Sequence, residues 1–420
     1  MDKPEDLVIF SNGPGEVSTW VLPIVEAVIK REELQSRYRI ILIIHPCQFA
    51  SGREGFVGRS MEGIERVIGP REYIKMLITG PGKRKHSFKK RGVIFSLGGD
   101  LMYPVFFKKR IRGEHLLYAY TNNTGWEKYY NRIFVRNDYV KNKFLRRGVP
   151  EDKIFISGDL VYSSLKYRKG RSEVRDELSI YDGEKMVIFM PGSRDFEVRY
   201  MVPVFLKVID DLTDRLEGIR AFFLKSPYVS YEMLEEALAM GGRIREAESI
   251  TGTLSKEKNE AFYRIKFGKE KRVVILEGGL EMWGMGVDFA VTLPGTNTIE
   301  LAYRGIPALV IAPLNKPELI PVEGLLGVLK WFPWAGRGIL RKAGYRYFST
   351  FSYASLPNLY MNSEVVPELS GVIKTSDITE KVYDIIHNER DREIRKKLQC
   401  FNFTQDPAKL IVNEVWPAVR

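Results

Sequence analysis

Cysteine and histidine are scarce in this chain of 420 residues, and this limits the metal and redox chemistry that it can carry. The two cysteines, Cys47 and Cys400, are too few for a disulfide framework or a zinc ribbon. None of the four histidines stands at metal-ligand spacing from another histidine or from a cysteine. The Asp-x-Asp motif is absent too. The sequence therefore predicts no structural or catalytic metal ion.

Long apolar runs are also missing. No stretch of about 18 uncharged apolar residues occurs, so the sequence predicts no membrane-spanning helix. The N-terminus is acidic at Asp2, Glu5 and Asp6, where a secretory signal would be basic, and this predicts a cytoplasmic protein. Neither GxxxxGKS/T nor GxSxG is present, which excludes P-loop nucleotide hydrolases and hydrolases with a nucleophile elbow.

Basic residues outnumber acidic ones. Lysine and arginine total 65 and aspartate and glutamate total 53, which gives a net charge of +12. This balance favours phosphate groups, an anionic lipid surface or nucleic acid as a partner. Hydrophobic residues make up 44% of the chain, which excludes global disorder. At about 150 residues per domain, the length predicts two or three domains.

Short, continuous apolar runs alternate with helical patterns along the chain. One series of runs begins at residues 7–10 and ends at residues 153–156. A second series extends from residues 187–190 to residues 308–311, after a polar stretch at residues 166–185. Continuous apolar runs are typical of strands that are buried on both faces of a parallel sheet covered by helices. The fold class is therefore predicted to be α/β.

Two successive α/β sheets joined by a polar linker predict a two-domain protein. The first domain is expected at residues 1–170 and the second at residues 186–376. Ligands usually bind in a cleft between two such domains. The helical residues 377–420 are expected to pack back on the first domain or on a partner chain. The oligomeric state stays open, with a homodimer among the alternatives.

A glycine-rich loop, Gly13-Pro14-Gly15-Glu16, follows the first predicted strand and precedes a helix. Glycines let the backbone approach a ligand closely, and the helix N-terminus offers N–H groups to an anion. The third glycine of the dinucleotide fingerprint GxGxxG is missing. We interpret the loop either as a ligand-binding loop or as a tight strand-to-helix turn without a ligand.

The run Pro191-Gly192-Ser193-Arg194 follows the first strand of the second series. The N–H groups of Gly192 and Ser193 can be presented to an anion, and Arg194 supplies a planar set of donors for phosphate oxygens. At the carboxyl end of a strand, this arrangement suits a diphosphate. The alternative is a turn with a solvated arginine.

Residues 293–300 are predicted to contain the end of a strand, a turn and the start of a helix. Thr296, Asn297 or Thr298 can cap this helix, and the N–H groups of its first turn can hold phosphate oxygens. Glu300 lies about one turn into the helix, where its carboxylate can accept hydrogen bonds from ribose hydroxyls. The alternative role of Glu300 is to stabilise the positive N-terminal end of the helix.

Asp100 follows a glycine pair, Gly98-Gly99, at the end of a strand in the first series. An acid at the carboxyl edge of a sheet can serve as a general base in a cleft. Aspartate is also a favoured helix N-cap. From these residues alone, the capping interpretation is favoured over the catalytic one.

Three segments resemble, in order along the chain, motifs of the lipid-A-disaccharide synthase family. Residues 190–197 (MPGSRDFE) resemble the PGSR..E motif, and residues 294–300 (PGTNTIE) resemble SGT.TLE. Residues 357–369 begin with PN and end with VPEL, and they resemble the PN…vPEl segment. The loop at residues 11–16 (SNGPGE) is similar to the family's N-terminal GE loop. Several motif matches in the family's order are more specific evidence for this resemblance than any one match alone.

The resemblance implies a GT-B glycosyltransferase, with two Rossmann-like domains whose parallel sheets face each other across a cleft. The family joins a UDP-linked acylated glucosamine to an acylated glucosamine 1-phosphate and releases UDP, without a metal or another cofactor. It implies that the second domain holds the UDP-sugar, with Arg194 at the diphosphate and Glu300 at the ribose. The implied donor-binding residues are Gly192, Ser193, Arg194, Gly295, Thr296, Asn297, Thr298, Glu300, Asn358 and Glu368.

In the first domain, the resemblance implies Asp100 as the base that deprotonates the acceptor hydroxyl, with Glu16 as a second catalytic residue. The implied acceptor-side loop contains Asn12, Gly13 and Gly15. The sequence departs from the family after Glu16, where Val17-Ser18-Thr19-Trp20 replaces an SGD segment. The donor site is therefore the closer match, and the acceptor stays open.

An acylated substrate implies a surface that touches a membrane. Basic residues are dense between positions 83 and 112, and an apolar, aromatic segment occupies positions 325–334. Such segments are typical of interfacial binding. The alternatives are a solvated basic face and a buried helix pair that covers the cleft. The predicted docking residues are Lys89, Lys90, Arg91, Lys108, Lys109, Trp331, Phe332 and Trp334.

The sequence therefore predicts an inverting glycosyltransferase that moves a sugar from a UDP-sugar to a lipid-linked or phosphorylated sugar acceptor. It is expected to lie in the cytoplasm, in peripheral contact with the inner face of the cell membrane. One alternative is a sugar-nucleotide epimerase on the same scaffold, and another is an inactive, membrane-associated binding protein. Nucleic acid is not an expected partner, because no nucleic-acid-binding fold is evident.

Overall fold

The computed structural model describes residues 3–47, 50–80, 87–242, 244, 247–256, 260–268, 270–315, 352–401 and 405–417. The chain divides into a first unit, Met1–Ser164 with Phe403–Arg420, and a second unit, Leu165–Asn402. In the described residues, no helix is both long and apolar enough to cross a membrane.

The described residues of the first unit contain a sheet of seven strands. In chain order they are Glu5–Ser11 (β1), Tyr38–Ile44 (β2), Ile64–Ile68 (β3), Arg91–Leu97 (β4), Glu114–Tyr120 (β5), Arg132–Val135 (β6) and Ile154–Ile156 (β7). Their order across the sheet is β3-β2-β1-β4-β5-β6-β7, and every neighbouring pair is parallel. This is the strand order of a Rossmann-like domain.

Helices cover both faces of this sheet. They are Pro14–Glu16 (α1), Leu22–Ile29 (α2), Glu32–Arg37 (α3), Glu54–Arg59 (α4), Pro70–Thr79 (α5), Met102–Arg110 (α6), Asp138–Leu145 (α7) and Leu160–Ser163 (α8). Leu7 and Ile9 of β1 belong to one hydrophobic core, whereas Val8 and Phe10 belong to the core on the other face. Because both faces are buried, the central residues Leu7–Phe10 are all apolar, and this explains the continuous apolar run.

In the part of the second unit that the structure describes, eight strands form one sheet. They are Lys185–Met190 (β8), Ile219–Leu224 (β9), Gly252–Ser255 (β10), Arg264–Phe267 (β11), Lys271–Leu276 (β12), Phe289–Thr292 (β13), Ala308–Pro313 (β14) and Glu368–Gly371 (β15). Their order is β10-β11-β12-β9-β8-β13-β14-β15. The pairs from β12 to β15 are parallel, but β10 and β11 are antiparallel additions at one edge. The prediction of an entirely parallel sheet is therefore corrected for this edge.

Among the described residues of the second unit, helices lie before β8, between the strands and after β15. They are Arg171–Glu177 (α9), Asp195–Arg215 (α10), Tyr231–Ala239 (α11), Gly279–Trp283 (α12), Thr296–Tyr303 (α13), Leu356–Met361 (α14), Thr375–His387 (α15) and Arg390–Leu398 (α16). The predicted linker at residues 166–185 is not a plain linker, because it contains α9. Val174 of that helix lies in the core of the second unit.

The C-terminal residues do not behave as the single block 377–420 that the sequence predicts. Residues 377–402 stay with the second unit, and only residues 403–420 belong to the first. The last described helix, Pro407–Val415 (α17), places Ile411 in the first unit's core. After it, the indole Nε1 of Trp416 donates to the hydroxyl of Tyr38 at 3.0 Å. The chain thus returns to the first unit at its end.

Candidate functional site

In the second unit, the turn after β8 is organised by one carboxylate, that of Glu197. The backbone N–H groups of Ser193 and Arg194 donate to its Oε2, at 2.9 and 3.1 Å. The guanidinium Nη1 of Arg194 pairs with its Oε1 at 2.5 Å. Gly192 has a φ of +103°, and a Cβ there would collide with the same carboxylate. Glu197 therefore caps α10 and holds the turn and its arginine together.

This arrangement changes the expected role of one backbone group. The sequence predicts that the N–H groups of Gly192 and Ser193 are presented to a phosphate. The N–H group of Ser193 is instead bonded to Glu197, as expected for a helix N-terminus that satisfies its own donors. The Arg194 side chain is 26% exposed beside this carboxylate. An anion that approaches the turn therefore meets a cation whose position is fixed.

The turn after β13 lies beside the turn after β8. These two strands are parallel neighbours, with Thr292 opposite Met190. The structure therefore places the Pro191–Arg194 turn and the Leu293–Gly295 turn at the same edge of the sheet. This is the juxtaposition that a shared anion site needs, because both turns leave the carboxyl ends of parallel strands.

The predicted capping of α13 by Thr296, Asn297 or Thr298 is wrong. Gly295 is the N-cap, and no side chain caps the helix. The hydroxyl of Thr298 donates to the Gly295 carbonyl at 2.8 Å, and the amide of Asn297 donates to the hydroxyl of Thr292. Gly295 has a φ of +156° and allows the sharp turn into the helix. The hydrogen bonds of these polar side chains therefore stabilise the turn.

Glu300 forms an ion pair with Arg304, four residues later on α13. Its Oε1 accepts from Nε at 3.2 Å and from Nη2 at 3.0 Å. The Arg304 side chain is only 1% exposed, and its guanidinium also lies 4.6 Å from the ring centroid of Tyr167. Glu300 therefore neutralises a buried cation. A ribose contact by Glu300 stays a prediction.

Asn358 is completely buried, with every hydrogen-bonding group of its amide in use. Its Nδ2 donates to the Val366 carbonyl at 2.8 Å and to Glu368 at 2.7 Å. Its Oδ1 accepts from the N–H groups of Val365 and Val366, at 2.7 and 2.9 Å. The predicted role of Asn358 at the donor edge is therefore corrected. The side chain of Asn358 shapes its segment and has no polar atom left for a ligand.

Glu368 joins the same network and fixes the start of α14. It accepts from the N–H groups of Ala354 and Ser355, at 2.7 and 2.9 Å, and from the Ser355 hydroxyl at 2.6 Å. The N–H group of Leu356 in turn donates to the hydroxyl of Thr298 at 3.2 Å. Two of the segments that the sequence singled out, residues 294–300 and 357–369, are therefore one connected structure.

In the first unit, a glycine pair lies where three side chains meet. Gly98 and Gly99 follow β4 and have φ values of +100° and +74°. A Cβ on Gly98 would lie 2.7 Å from Cγ of Glu16 and 3.1 Å from Oδ1 of Asn12. A Cβ on Gly99 would collide with the imidazole of His45. Only glycine suits these positions, since the three side chains occupy the space.

Asp100 follows this pair and is exposed. Its Oδ1 accepts from the N–H group of Met102 at 2.8 Å, where α6 begins. The carboxylate therefore makes the helix-start bond of the capping alternative, although the N-cap position is Leu101. Exposure and location at the carboxyl edge of the sheet are also what a general base requires. Its catalytic role stays a prediction.

His45, which the sequence did not single out, lies at the end of β2. Its ring is 1% exposed and stacks on Tyr103, with centroids 4.4 Å apart. Its Nδ1 lies 3.2 Å from the Pro46 carbonyl. Burial lowers the pKa of His45, although the carbonyls of Pro46 and Gly98 and the charge of Asp100 oppose this shift. The ring is therefore held neutral near pH 7.

The glycine-rich loop after β1 forms a short, irregular helix start. Gly13 is the N-cap of α1, Gly15 lies within it, and the carboxylate of Glu16 folds back against Gly13. A π-helical turn follows and contains Trp20. The indole of Trp20 packs edge-on against Tyr120, with ring centroids 4.9 Å apart. The departure from the family motif therefore places an aromatic ring at this edge, and π-helical turns are frequent at functional sites.

The predicted docking residues of the first unit lie at the other edge of its sheet. Lys89, Lys90 and Arg91 precede or open β4, and Lys108 and Lys109 close α6. Lys90, Arg91 and Lys109 are exposed, and Nζ of Lys109 lies 5.4 Å from the ring centroid of Tyr129. This is the amino edge of the strands, opposite Asp100. The other predicted docking residues lie outside the described residues: Trp331, Phe332 and Trp334.

One family model matches part of the sequence. The lipid-A-disaccharide synthetase family matches residues 154–244, a segment that includes β8, the Pro191–Arg194 turn and α10. The resemblance to this family is therefore confirmed over that segment. No curated protein shows significant sequence similarity to the chain.

Solved structures of similar fold extend over nearly the whole chain. A proposed UDP-N-acetylglucosamine 2-epimerase from Listeria monocytogenes has a TM-score of 0.56 at 11% identity, covering 100% of this chain and 98% of that one. The structure of MnaA of S. aureus with UDP has a TM-score of 0.54 at 12% sequence identity, covering 98% of this chain and 96% of that one. UDP-GlcNAc 2-epimerase from Neisseria meningitidis, bound to UDP-GlcNAc, has a TM-score of 0.51 at 12% sequence identity, covering 98% of each chain. The predicted GT-B fold class, with two Rossmann-like domains, is confirmed.

Proposed function

We propose that the chain is an inverting glycosyltransferase that uses a UDP-sugar and a lipid-linked or phosphorylated sugar acceptor, as lipid-A-disaccharide synthases do. The observation that carries the proposal is the family match at residues 154–244, because this segment contains the arginine turn after β8. The neighbouring turn after β13 supports it, since both turns leave the same edge of one sheet. As in that family, the reaction is proposed to need no metal and no other cofactor.

The proposed donor site centres on Arg194. Its position is fixed by Glu197, which also holds the backbone of the turn. A cation that is positioned before the reaction stabilises the charge that develops on the leaving diphosphate without a large cost of reorganisation. Gly295 and the start of α13 are proposed to face the phosphates from the neighbouring turn. Glu300 is proposed to accept from the ribose while it keeps its pair with Arg304.

The proposed reaction is a single displacement at the anomeric carbon of the donor sugar. The acceptor hydroxyl oxygen bonds to that carbon, and the bond from carbon to the phosphate oxygen breaks, so that UDP leaves with the electron pair. Asp100 takes the proton of the attacking hydroxyl. Glu16, folded over the glycine loop, is proposed as the second carboxylate of this side. Inversion at the anomeric carbon follows from attack opposite the leaving group.

We propose that the amino edge of the first sheet docks on an anionic membrane surface, with Asp100 at the opposite, carboxyl edge of the strands. Ile74 and Ile78 of α5 are exposed, and α5 packs beside α6, which carries Lys108 and Lys109. Each cation near anionic lipid contributes about 1 kcal/mol. Replacing both lysines with glutamate should reduce co-sedimentation with anionic vesicles. Unchanged co-sedimentation would contradict this surface.

The fold is also compatible with a sugar-nucleotide epimerase, the second candidate, because the three compared proteins are described as UDP-GlcNAc 2-epimerases or hold UDP. An inactive, membrane-associated binding protein is the third. An epimerase converts its nucleotide sugar without an acceptor, whereas a transferase releases UDP only when the acceptor is present. The three functions therefore give different products from the same mixture.

The distinguishing experiment incubates the protein with UDP-GlcNAc and, separately, with a UDP-linked acylated glucosamine. Each donor is tested with and without an acylated glucosamine 1-phosphate, and the products are separated by mass spectrometry. We expect release of UDP and a disaccharide product only in the presence of the acceptor. An epimeric UDP-sugar formed without acceptor would identify an epimerase. Vesicle binding without conversion of any UDP-sugar would identify a binding protein.

A further inference from the structure

Arg304 of α13 carries a charge that is almost completely buried. Its side chain is 1% exposed, and among the described residues its acidic partner is Glu300, whose side chain is 21% exposed. A buried ion pair is weak evidence for stability, because apolar side chains of similar size often replace such a pair without loss. Stability alone therefore does not explain why this arginine lies beside a residue that is predicted to contact the ribose.

The guanidinium of Arg304 is also fixed by groups other than Glu300. Its Nη1 donates to the carbonyl of Lys166 at 2.9 Å, and its Cζ lies 4.6 Å from the ring centroid of Tyr167. A Cβ on Gly284 would lie 3.3 Å from Cε1 of Tyr167 and 3.7 Å from Cδ of Arg304, so these two side chains are packed closely there. Stacking and a planar set of donors restrict a guanidinium more than an ammonium. The position of Arg304 is therefore set before any nucleotide binds.

This arginine holds one oxygen of the Glu300 carboxylate. Its Nε and Nη2 both donate to Oε1, at 3.2 and 3.0 Å. Among the described residues, only this oxygen of Glu300 accepts a side-chain hydrogen bond. A glutamate side chain has considerable rotamer freedom, and fixing Oε1 removes much of it before a ligand arrives. The second oxygen, Oε2, is then held in a defined place for a hydroxyl donor.

Glu300 is suitably placed for the ribose of a nucleotide whose phosphates lie at the turn after β13. It lies four residues after Thr296, where α13 begins, which corresponds to about 6 Å along the helix axis. The turn before α13 is at the same sheet edge as the Arg194 turn, because β13 and β8 are parallel neighbours. The ribose of a nucleoside diphosphate is joined directly to its phosphates. A carboxylate one helical turn from that edge can therefore meet a ribose hydroxyl.

We infer that Arg304 is a positioning residue that holds Glu300 for a hydrogen bond from a ribose hydroxyl, and that it thereby determines a preference for ribonucleotides. Arg304 acts through Glu300 and does not itself contact the nucleotide. The inference rests on the proposed binding of a UDP-sugar by the second unit. A merely structural arginine would affect all nucleotides equally, whereas a positioning arginine affects only those that carry ribose hydroxyls.

The test measures the calorimetric affinity of the full chain for UDP and for 2′,3′-dideoxy-UDP, which lacks both ribose hydroxyls. The ratio of the two affinities is the informative quantity, because a partial loss of folded protein affects both probes alike. The variants are Arg304→Met, Arg304→Lys, Glu300→Gln, and Glu300→Gln combined with Arg304→Met. Arg199→Met is the matched control, because Arg199 also pairs with an acid four residues away, Asp195, but on α10 and in a more exposed place.

We expect wild-type protein to bind UDP about 10- to 100-fold more tightly than dideoxy-UDP, the worth of a hydroxyl hydrogen bond to a charged acceptor. Arg304→Met should reduce this preference to about 3-fold or less, and Arg304→Lys should restore part of it, because an ammonium can still donate to Oε1. Glu300→Gln should also reduce the preference. The double variant should show no further reduction, since both changes act through one hydrogen bond. Arg199→Met should keep the wild-type preference.

Tyr167→Ala provides the test if Arg304→Met does not fold. Tyr167 is 44% exposed, so we expect the fold to tolerate its loss. The change keeps both Arg304 and Glu300 but removes the ring that restricts the guanidinium. The preference for UDP should then fall about 2- to 5-fold, the worth of one cation–π contact.

Two results would overturn the inference while leaving UDP binding intact. One is a wild-type preference for UDP in folded Arg304→Met or, where that variant does not fold, in Tyr167→Ala. The other is equal affinity of wild-type protein for UDP and dideoxy-UDP. Failure of wild-type protein to bind UDP would instead overturn the proposed function, and the inference with it, so the two failures are distinguishable.

Discussion

Replacing Asp100 with asparagine is expected to lower the rate of sugar transfer about 10²- to 10⁴-fold, the usual contribution of a general base. Asparagine retains an oxygen that can accept from the N–H group of Met102, so the helix start is preserved. The lost property is the ability to take a proton, the role that we propose for Asp100 at the acceptor hydroxyl. The affinity for UDP should not change, because Arg194 and its turn belong to the second unit.

Turnover of UDP-sugar with acceptor and calorimetric UDP binding measure these two effects separately. Asp152→Asn is the matched control, because Asp152 is exposed in the same unit but precedes β7 at the amino edge. The control should transfer sugar at the wild-type rate. An Asp100→Asn protein that retains wild-type turnover would remove Asp100 from the mechanism and leave only its helix-start bond.

Replacing Asn358 with alanine is expected to reduce the free energy of unfolding of the second unit by about 2–5 kcal/mol. The change leaves the N–H groups of Val365 and Val366 without their acceptor in a buried place, at about 1–3 kcal/mol each. Glu368 also loses the amide donor that helps hold it against the start of α14. Denaturant unfolding, followed by circular dichroism, measures the loss.

The Asn388→Ala variant serves as the control in the same unit. Asn388 is exposed, and its amide makes a hydrogen bond to Asp384 at the end of α15. Its loss should change the free energy of unfolding by no more than about 0.5 kcal/mol. An Asn358→Ala protein that kept its unfolding midpoint but lost UDP affinity would show that Asn358 contacts the UDP-sugar and does not mainly stabilise the fold.

The core strands were predictable because burial on two faces leaves a continuous apolar run. Ile40–Ile44 and Val187–Met190 are examples, and both are central strands. The two antiparallel strands of the second sheet were not predictable in this way. Gly252–Ser255 and Arg264–Phe267 are only partly buried and short, so polar residues interrupt them. Their antiparallel pairing depends on neighbours along the sheet, which apolar periodicity does not reveal.

Local partners in the candidate site could have been predicted from spacing, but distant ones could not. Glu197 lies three residues after Arg194, and Arg304 lies four residues after Glu300, so one helix turn brings each pair together. His45 is different, because its neighbours Gly99 and Tyr103 are more than 50 residues away in sequence. Only the strand order, with β1 between β2 and β4, brings them to one edge.

We propose that the second unit holds a UDP-sugar through Arg194, and calorimetry with UDP tests this proposal most directly. Wild-type protein should bind UDP saturably. Arg194→Ala should weaken binding by about 1.5–3 kcal/mol, or about 10- to 150-fold, because the diphosphate would then meet the Glu197 carboxylate without its cation. Arg199→Ala, on the same helix with an exposed ion pair to Asp195, should bind as the wild type does.

For Glu300, glutamine is a more suitable substitution than alanine in the same calorimetric measurement. Glu300→Ala would leave the buried Arg304 guanidinium without its partner, whereas Glu300→Gln keeps an acceptor for it. We expect Glu300→Gln to bind UDP more weakly than wild type while its unfolding midpoint changes little.

Saturable UDP binding that is lost in Arg194→Ala and retained in Arg199→Ala is the predicted result. No binding by wild-type protein at millimolar UDP, or equal affinity in Arg194→Ala, would contradict the account.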